Sequence, residues 1–532
     1  MIQDDTPGVG VVEIEGGLHV DRYKVQVLPT RPRDAEAPAG TGHHEKGYWD
    51  PFKERKLDHA TTDGETLTHL LKASLGTGIL AMPAAFKNAG MITGIFATII
   101  VSLVCTHCSY VLVSTQHTHE LKRSDVELVV VVEPGRHLSL MHTYNLSTLL
   151  FCSQVKCAHS LYHRKKVTTM TFADVGEVAF ANGPPWGRKF SKWARFSILF
   201  GLFLAYFGTC SVYTVIIAKN FKIVTSFSLQ CRHTVYIAVL LVPLILLSWI
   251  PNLKYLAPIS MLANFLMAGG LGITFWYLVW DLPSVWERPQ FASWETLPDF
   301  FSTTIFAIEA IGVIMPLENA METPQHFVGI CGVLNRGMSG VTMIYILLGF
   351  LGFLKFGDAA QDNITNNLDI TQIAPQVANI FVAIAVFCTF GLQFFVCLEI
   401  GWDAVKGYFP KRQRFYNYIV RTVLVSGAVF LAIAVPTIGP FINLIGALCF
   451  SLLGLIIPVF IEFVTYWDVG FGSFNWIVWK NILVLIFGVL ALFFGSATSI
   501  KGIAELYAPQ NAAADGFKKT LENLSSYNTT SV

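Results

Sequence analysis

Charged side chains are scarce in this chain. Asp, Glu, Lys and Arg together make up 14% of its 532 residues, against about 25% in ordinary soluble domains. Apolar residues make up 53% of the chain, and the mean hydropathy is +0.52. The composition excludes an ordinary soluble fold and predicts an all-α polytopic membrane protein whose surroundings are a lipid bilayer.

Other absences narrow the function. The net charge of +1 gives no indication of nucleic-acid binding, and we expect no nucleic-acid partner. The ten cysteines are scattered, without the spacing of metal ligands. The sequence has no nucleotide-binding, metal-binding or nucleophile motif, so we expect neither an enzyme nor a bound metal or cofactor.

Apolar stretches long enough to cross a bilayer recur along the chain. A spanning helix needs about 20 apolar residues, and eleven candidates meet or approach that length. They are 66–88, 92–113, 194–218, 235–250, 256–280, 300–321, 338–356, 375–400, 417–435, 440–465 and 477–497. The sequence therefore predicts about eleven transmembrane helices within residues 63–505.

The loops and tails predict an orientation. Residues 1–62 are polar and rich in Pro and Gly, which predicts a disordered tail. Lys and Arg concentrate in loops that place this tail in the cytoplasm, and an odd number of spans then places the tail 506–532 on the other side. The sequon at Asn363 falls in a non-cytoplasmic loop and predicts a glycosylation site.

Two of the apolar stretches are interrupted by helix breakers. Span 1 contains Gly76-Thr77-Gly78 and Pro83, and span 6 contains Glu309, Gly312 and Pro316. Such interruptions leave backbone groups unbonded where lipid offers no water. As spans one and six of eleven, they predict a secondary transporter of two five-helix inverted repeats plus one helix, with substrate between half-helices near the midplane.

The residues around these breaks resemble one known family. The motif at 68–80, with Met82-Pro83, resembles the opening of the proton-coupled amino acid transporters, a branch of the amino acid/auxin permeases. Further matches follow in order at 156–159, 220–222, 306–312, 315–321 and 421–425. The resemblance covers roughly residues 60–505. It implies a LeuT-like fold and transport of small neutral amino acids, such as proline, glycine or alanine, with protons.

One segment departs from that family. About forty residues, 114–155, separate the end of span 2 from the motif that follows it in the family. The residues at its two ends can be encoded by splice-signal sequences, so the first hypothesis is a retained intron or gene-model error. The other is a genuine cytoplasmic insertion, and sequencing the transcript distinguishes the two.

The predicted substrate site lies at the two breaks. Unwound backbone around 76–78 offers N–H groups to a substrate carboxylate, and unwinding around Ala310–Pro316 offers carbonyls to its ammonium. The candidate substrate-binding residues are Ser74, Gly76, Thr77, Gly78, Phe306, Ile308, Glu309 and Gly312. The alternatives are close helix packing at the glycines, a plain proline kink in span 6, and ordinary packing of the apolar members.

Three residues are candidates for proton coupling. Burying Glu309 in its charged form is costly, which favours a carboxyl that takes up and releases a proton. His69 and His107 match histidine positions of the family, and the first is the one thought to couple protons. Each could instead be a structural hydrogen-bonding residue.

The sequence thus predicts a proton-driven amino acid symporter in the plasma or lysosomal membrane. Participation of Na⁺ is not excluded, and protein partners are unknown. The alternative is an amino acid sensor that signals through its cytoplasmic segments with little net flux. A channel is disfavoured because the sequence contains no repeated pore loop.

Overall fold

Helices follow the apolar stretches of the sequence. The computed structural model describes residues 55, 60–74, 76–113, 161–162, 165, 167–225, 232–251, 253–308, 310–328, 331–468, 470–471 and 473–507. Over these residues the only β pairing is an isolated bridge between Thr61 and Met321. The all-α prediction is confirmed, while the insertion 114–155 lies outside the described residues.

Among the described residues, the first half of the chain contains eight α-helices of seven residues or more. They are α1 (Asp63–Ser74), α2 (Gly78–Ala89), α3 (Met91–Val113), α4 (Phe172–Ala181), α5 (Ser191–Thr225), α6 (His233–Val239), α7 (Leu241–Ser248) and α8 (Leu253–Val279). The longest, α5, spans about 52 Å at 1.5 Å per residue, which exceeds the hydrocarbon core.

The second half begins with another broken pair. Its helices are α9 (Leu297–Ile308), α10 (Ile311–Ala320), α11 (Val333–Phe356), α12 (Ile373–Val405), α13 (Gln413–Ala434), α14 (Gly439–Ile445), α15 (Ile457–Thr465), α16 (Trp476–Leu490) and α17 (Ser496–Tyr507). Two π-helical segments, Gly446–Phe450 and Leu452–Ile456, join α14 to α15, and a third, Ala491–Gly495, joins α16 to α17.

The helices have the length and surface of a membrane protein. Among the described residues nine segments are long and apolar enough to span a bilayer, and His233–Ser248 is a shorter apolar one. Phe265, Phe430 and Leu483 are exposed on their outer faces by 72, 69 and 66%. These side chains suit contact with lipid. The polytopic class is confirmed; the count of eleven and the inverted repeat stay predictions.

The chain enters the bundle earlier than the sequence predicts. Arg55 and residues 60–62 fall inside the predicted disordered tail, yet the Arg55 side chain is only 3% exposed. The Thr61 amide donates to the Ala320 carbonyl at 2.8 Å, and the Glu322 amide donates to the Thr61 carbonyl at 3.0 Å. This segment therefore packs against the end of α10, at what we call the N-terminal end of the bundle.

Candidate functional site

Both predicted helix breaks are present. α1 stops at Ser74 and α2 begins at Gly78, while α9 stops at Ile308 and α10 begins at Ile311. Ala310 has φ −124° and ψ 11°, which is not helical. The second break is shorter than the predicted 310–316, because Gly312 and Pro316 lie inside α10. Pro316 removes one backbone hydrogen bond there without ending the helix.

One tyrosine joins the two breaks. The Tyr345 hydroxyl, on α11, lies within hydrogen-bonding distance of two carbonyl oxygens, that of Ser74 and that of Ala307, the latter at 2.9 Å. Ser74 ends α1 and Ala307 is in the last turn of α9, where carbonyls lose their helical partners. Tyr345 is fully buried. A single side chain thus holds the half-helices of spans 1 and 6 beside each other.

Glycine lets these half-helices touch. A Cβ on Gly78 would lie 2.5 Å from the Ala307 Cα, closer than real Cβ atoms approach. A Cβ on Gly312 would strike the Tyr206 hydroxyl of α5. Glycine is therefore required at both positions by close approach, and the packing interpretation holds for Gly78 and Gly312 alongside the functional one.

The first break faces polar groups of α5 and α12. The Tyr213 hydroxyl lies 3.6 Å from the position that a Cβ on Gly76 would occupy, and it interacts with the neighbouring Thr77 side chain. Gln393 Nε2 donates to the same hydroxyl at 3.5 Å. The neighbourhood of Gly76 and Thr77 thus supplies hydroxyl and amide groups, which suit an amino acid's polar ends.

The aromatic member of the predicted site faces a π-helical wall. Phe306 packs edge-on against Phe450, with ring centroids 5.8 Å apart. A Cβ on Gly446 would meet Phe306 and the Ser302 carbonyl. Ile308 is fully buried. Phe306 and Ile308 therefore contribute apolar surface beside the second break.

The two proton-coupling candidates that the structure describes, His69 and His107, lie in different surroundings. Glu309 lies outside the described residues. His69 is exposed on α1. His107, on α3, borders a small void that it shares with Glu462 and Asn481, and its Nε2 has no hydrogen-bond partner within the described parts of the chain.

A buried ion pair lies next to His107. Lys480 Nζ donates to both carboxylate oxygens of Glu462, at 2.8 and 2.6 Å, and the Glu462 side chain is 1% exposed. Buried carboxylates in a membrane protein persist when they are paired in this way. His107 is therefore the predicted histidine that lies among other polar groups inside the bundle.

The predicted glycosylation site is enclosed in this conformation. Asn363 is fully buried, and its Nδ2 donates to Asn220 Oδ1 at 2.9 Å. Its Oδ1 accepts from the Thr365 amide and hydroxyl. The nitrogen that would carry a glycan is thus hydrogen-bonded within the protein in this conformation, and glycosylation at Asn363 stays a prediction.

A second cluster of paired polar side chains lies at the N-terminal end of the bundle. Arg55 donates from Nε and Nη2 to the Thr168 carbonyl at 3.0 and 2.7 Å, and from Nη1 to the Glu318 carbonyl at 3.1 Å. Its Nη2 also lies 3.4 Å from Glu318 Oε1, and neither side chain is more than 3% exposed. The Tyr162 hydroxyl donates to Glu318 Oε2 at 3.1 Å. Burial and the adjacent carboxylate raise the pKa of Tyr162, so it stays protonated and able to donate.

Sequence reasoning missed the side chains that line and close the site. Tyr206, Tyr213 and Tyr345 lie in apolar runs, where a tyrosine reads as one more hydrophobic residue. Arg55 lies in a stretch whose composition predicts a tail. The one available signal was Gln393, an amide in the middle of an otherwise apolar span.

Known proteins resemble the chain over most of its length. The family model described as transmembrane amino acid transporter protein matches residues 59–127 and 138–501. A Drosophila melanogaster protein named "proton-coupled amino acid transporter-like protein pathetic" is 53% identical over 488 residues, covering 91% of this chain and 93% of the relative. The Arabidopsis thaliana "amino acid transporter AVT3C" is 23% identical over 444 residues, covering 82% and 90%.

Proposed function

Since the chain belongs to the transmembrane amino acid transporter family, we propose that it moves small neutral amino acids across a membrane together with protons. It is an integral membrane transporter and not an enzyme. Proline, glycine and alanine are the proposed substrates. A difference in acidity across the plasma or lysosomal membrane would supply the proton gradient that drives transport.

The proposal rests on the observation that the two helix breaks lie beside each other. Tyr345 brings the end of α1 to the end of α9, and the Thr77 and Tyr213 hydroxyls lie at the same place. Amide donors at the start of α2 suit a carboxylate, and carbonyls at the end of α9 suit an ammonium group. The close packing at Gly78 argues against a bulky substrate there.

Transport requires that the site open to each side in turn. The Arg55–Glu318–Tyr162 cluster closes the N-terminal end in this conformation, because its charges are paired and buried. We propose that this cluster breaks when the site opens toward the N-terminal end. A proton and a substrate can drive that change only by binding the two conformations unequally.

His107 and Glu309 are the proposed proton carriers. The first lies beside a buried ion pair, and the second follows directly on the end of α9. We do not propose His69 as a proton carrier, because its imidazole is exposed on α1.

Uptake into proteoliposomes tests the proposal. The full chain is reconstituted, and uptake of radiolabelled proline, glycine and alanine is measured with and without an imposed proton gradient, in Na⁺ and in choline. We expect gradient-dependent accumulation of at least one of the three in both salts. Uptake that ignores the gradient, or that requires Na⁺ alone, would refute proton coupling.

Two glycine variants provide matched controls. Gly78→Val places a side chain against Ala307 and should abolish uptake. Gly64→Val, in α1, is the same substitution where a Cβ meets nothing within 4 Å, and it should transport normally apart from a small loss of helix stability. Equal uptake by the Gly78 variant and the parent would place the substrate elsewhere.

His107→Gln should retain substrate binding at acidic pH and lose the dependence of uptake on the proton gradient.

A further inference from the structure

A polar cavity lies at the end of the bundle opposite Arg55. It has a volume of about 530 Å³, within the usual range for small-molecule sites. Its walls come from the end of α5, the start of α6 and the loops 357–372 and 435–438. No residue assigned to the first site lines it.

Its lining contains buried polar atoms that lack partners. Both ring nitrogens of His233, both amide atoms of Asn366 and the Thr437 hydroxyl have none in the described part of the chain. All three residues line the cavity. Buried polar atoms are normally hydrogen-bonded to protein or to ordered water, so in this cavity these atoms are available to water or to a bound solute.

The charged side chains in the lining indicate which solute would fit the cavity. Lys219 and Lys222 line the cavity with one carboxylate, Asp362. Lys219 interacts electrostatically with Asp362, and both lysines interact with His233. Counted over the described lining, two ammonium groups and one carboxylate give a positive balance, which favours a bound carboxylate, while Asp362 offers a partner for an ammonium group.

Hydrogen bonds hold the wall of the cavity in place. Asp362 Oδ2 accepts from the Gly439 amide at 2.9 Å, and Asn379 Nδ2 donates to the Thr365 carbonyl at 3.1 Å. The Asn363–Asn220 hydrogen bond ties the same loop to α5. Groups fixed in this way need little reordering when a ligand arrives.

The geometry points to a second amino acid site in this cavity, with the carboxylate at Lys219, Lys222 and His233 and the ammonium at Asp362. A solute would bind here before it reaches the helix breaks. The identity of the solute rests on the proposed function, but the site itself does not depend on proton coupling.

Equilibrium binding to the purified full-length chain tests this inference. Tritiated L-alanine is titrated to saturation and the sites per chain are counted. Propionate, which lacks the ammonium, and ethylamine, which lacks the carboxylate, serve as competitors. We expect two alanine sites, of which propionate competes at one and ethylamine at neither.

Variants assign the second site. Lys219→Gln should weaken one of the two alanine sites about tenfold, the effect of losing one charge-assisted contact, and Lys219→Arg should largely restore it. Asp362→Asn should let propionate compete as well as alanine. Arg232→Gln is the control, because Arg232 is exposed, adjacent to His233 and not part of the lining. Thr437→Val removes one hydroxyl without changing charge and should weaken the same site severalfold, even if the lysine variants fail to fold.

The outcomes separate this inference from the proposed function. A single alanine site in the parent, no alanine binding at all, or two sites indifferent to Lys219 and Thr437 would overturn the inference. Proton-driven uptake could then still be observed. Conversely, a lysine-dependent site in a chain without gradient-driven uptake would support the cavity site and refute the transport proposal.

Discussion

Replacing Arg55 by glutamine should open the N-terminal end of the bundle. The guanidinium donates to the Thr168 carbonyl and to Glu318, from a position that is 3% exposed. Glutamine is shorter than arginine and carries no charge, so it cannot replace the several donors of the Arg55 guanidinium. The substitution leaves the Glu318 carboxylate buried with the Tyr162 hydroxyl but without its guanidinium.

The magnitude follows from these contacts. Removing one partner of a buried ion pair costs about 3–5 kcal/mol. The lower figure applies, because Tyr162 still donates to Glu318 and water can reach the Thr168 carbonyl once the segment lifts. A loss of about 3 kcal/mol changes the ratio of closed to open conformations by roughly 150-fold.

Chemical labelling of Thr168→Cys measures this change. The Thr168 side chain is not used in the cluster, since its carbonyl is the acceptor. Cys331, the exposed one among the free cysteines of the described residues, is changed to serine, and the background of the parent is subtracted. The maleimide reaction at position 168 should accelerate by up to about two orders of magnitude in the Arg55 variant. Arg55→Lys should give an intermediate rate.

The control is Lys411→Gln, which removes a positive charge from an exposed loop. It should leave the labelling rate unchanged. Equal labelling of parent and Arg55→Gln, or equal acceleration by both charge removals, would show that the cluster does not hold this end closed.

Two further predictions concern single hydrogen-bonding groups. Tyr345→Phe removes the single hydroxyl proton that the two buried carbonyls share, at about 1–3 kcal/mol, and should raise the KM for uptake at least fivefold. Tyr277→Phe, which loses one exposed hydrogen bond to Gln372, should leave KM unchanged, and an equal rise in both would refute the assignment. Burial alone would raise the pKa of Asp174, but hydrogen bonds from Thr171 and Arg195 outweigh it and lower that pKa below 3.8. The carboxylate therefore stabilises the fold above that pH, so the Tm gap between Asp174→Ala and the parent, measured by thermal scans, should be full at pH 7 and close as the pH falls below 3.8. A gap that persists unchanged in acid would contradict this.

The sequence predicted the two helix breaks of the site better than the side chains that line it. Gly76-Thr77-Gly78 and the stretch after Ile308 identified both breaks, because helix breakers in apolar runs have few other uses. The partners of those breaks come from α5, α11 and α12, more than a hundred residues away in sequence from α1. Nothing in the local pattern around Tyr345 distinguishes a tyrosine that bridges two carbonyls from one that fills space.

The length of the second break shows a different limit. Pro316 and Gly312 predicted unwinding up to residue 316, yet α10 begins at Ile311. A proline removes a donor from the helix, but the neighbouring turns can continue when packing holds them. Composition therefore located the break, and tertiary contacts determined its extent.

The two consecutive π-helical segments between α14 and α15 have a consequence for motion. Each contains about one residue more than an α-helical turn of the same height, so the helix beyond them is rotated relative to the helix before. Moving such a wide turn along the axis exchanges a few hydrogen bonds and re-aims the side chains that it passes. Phe450, which faces Phe306, lies in the first of these segments. The wall opposite the second break can thus change its profile by a rotation within one helix, while the helix ends stay anchored in their loops.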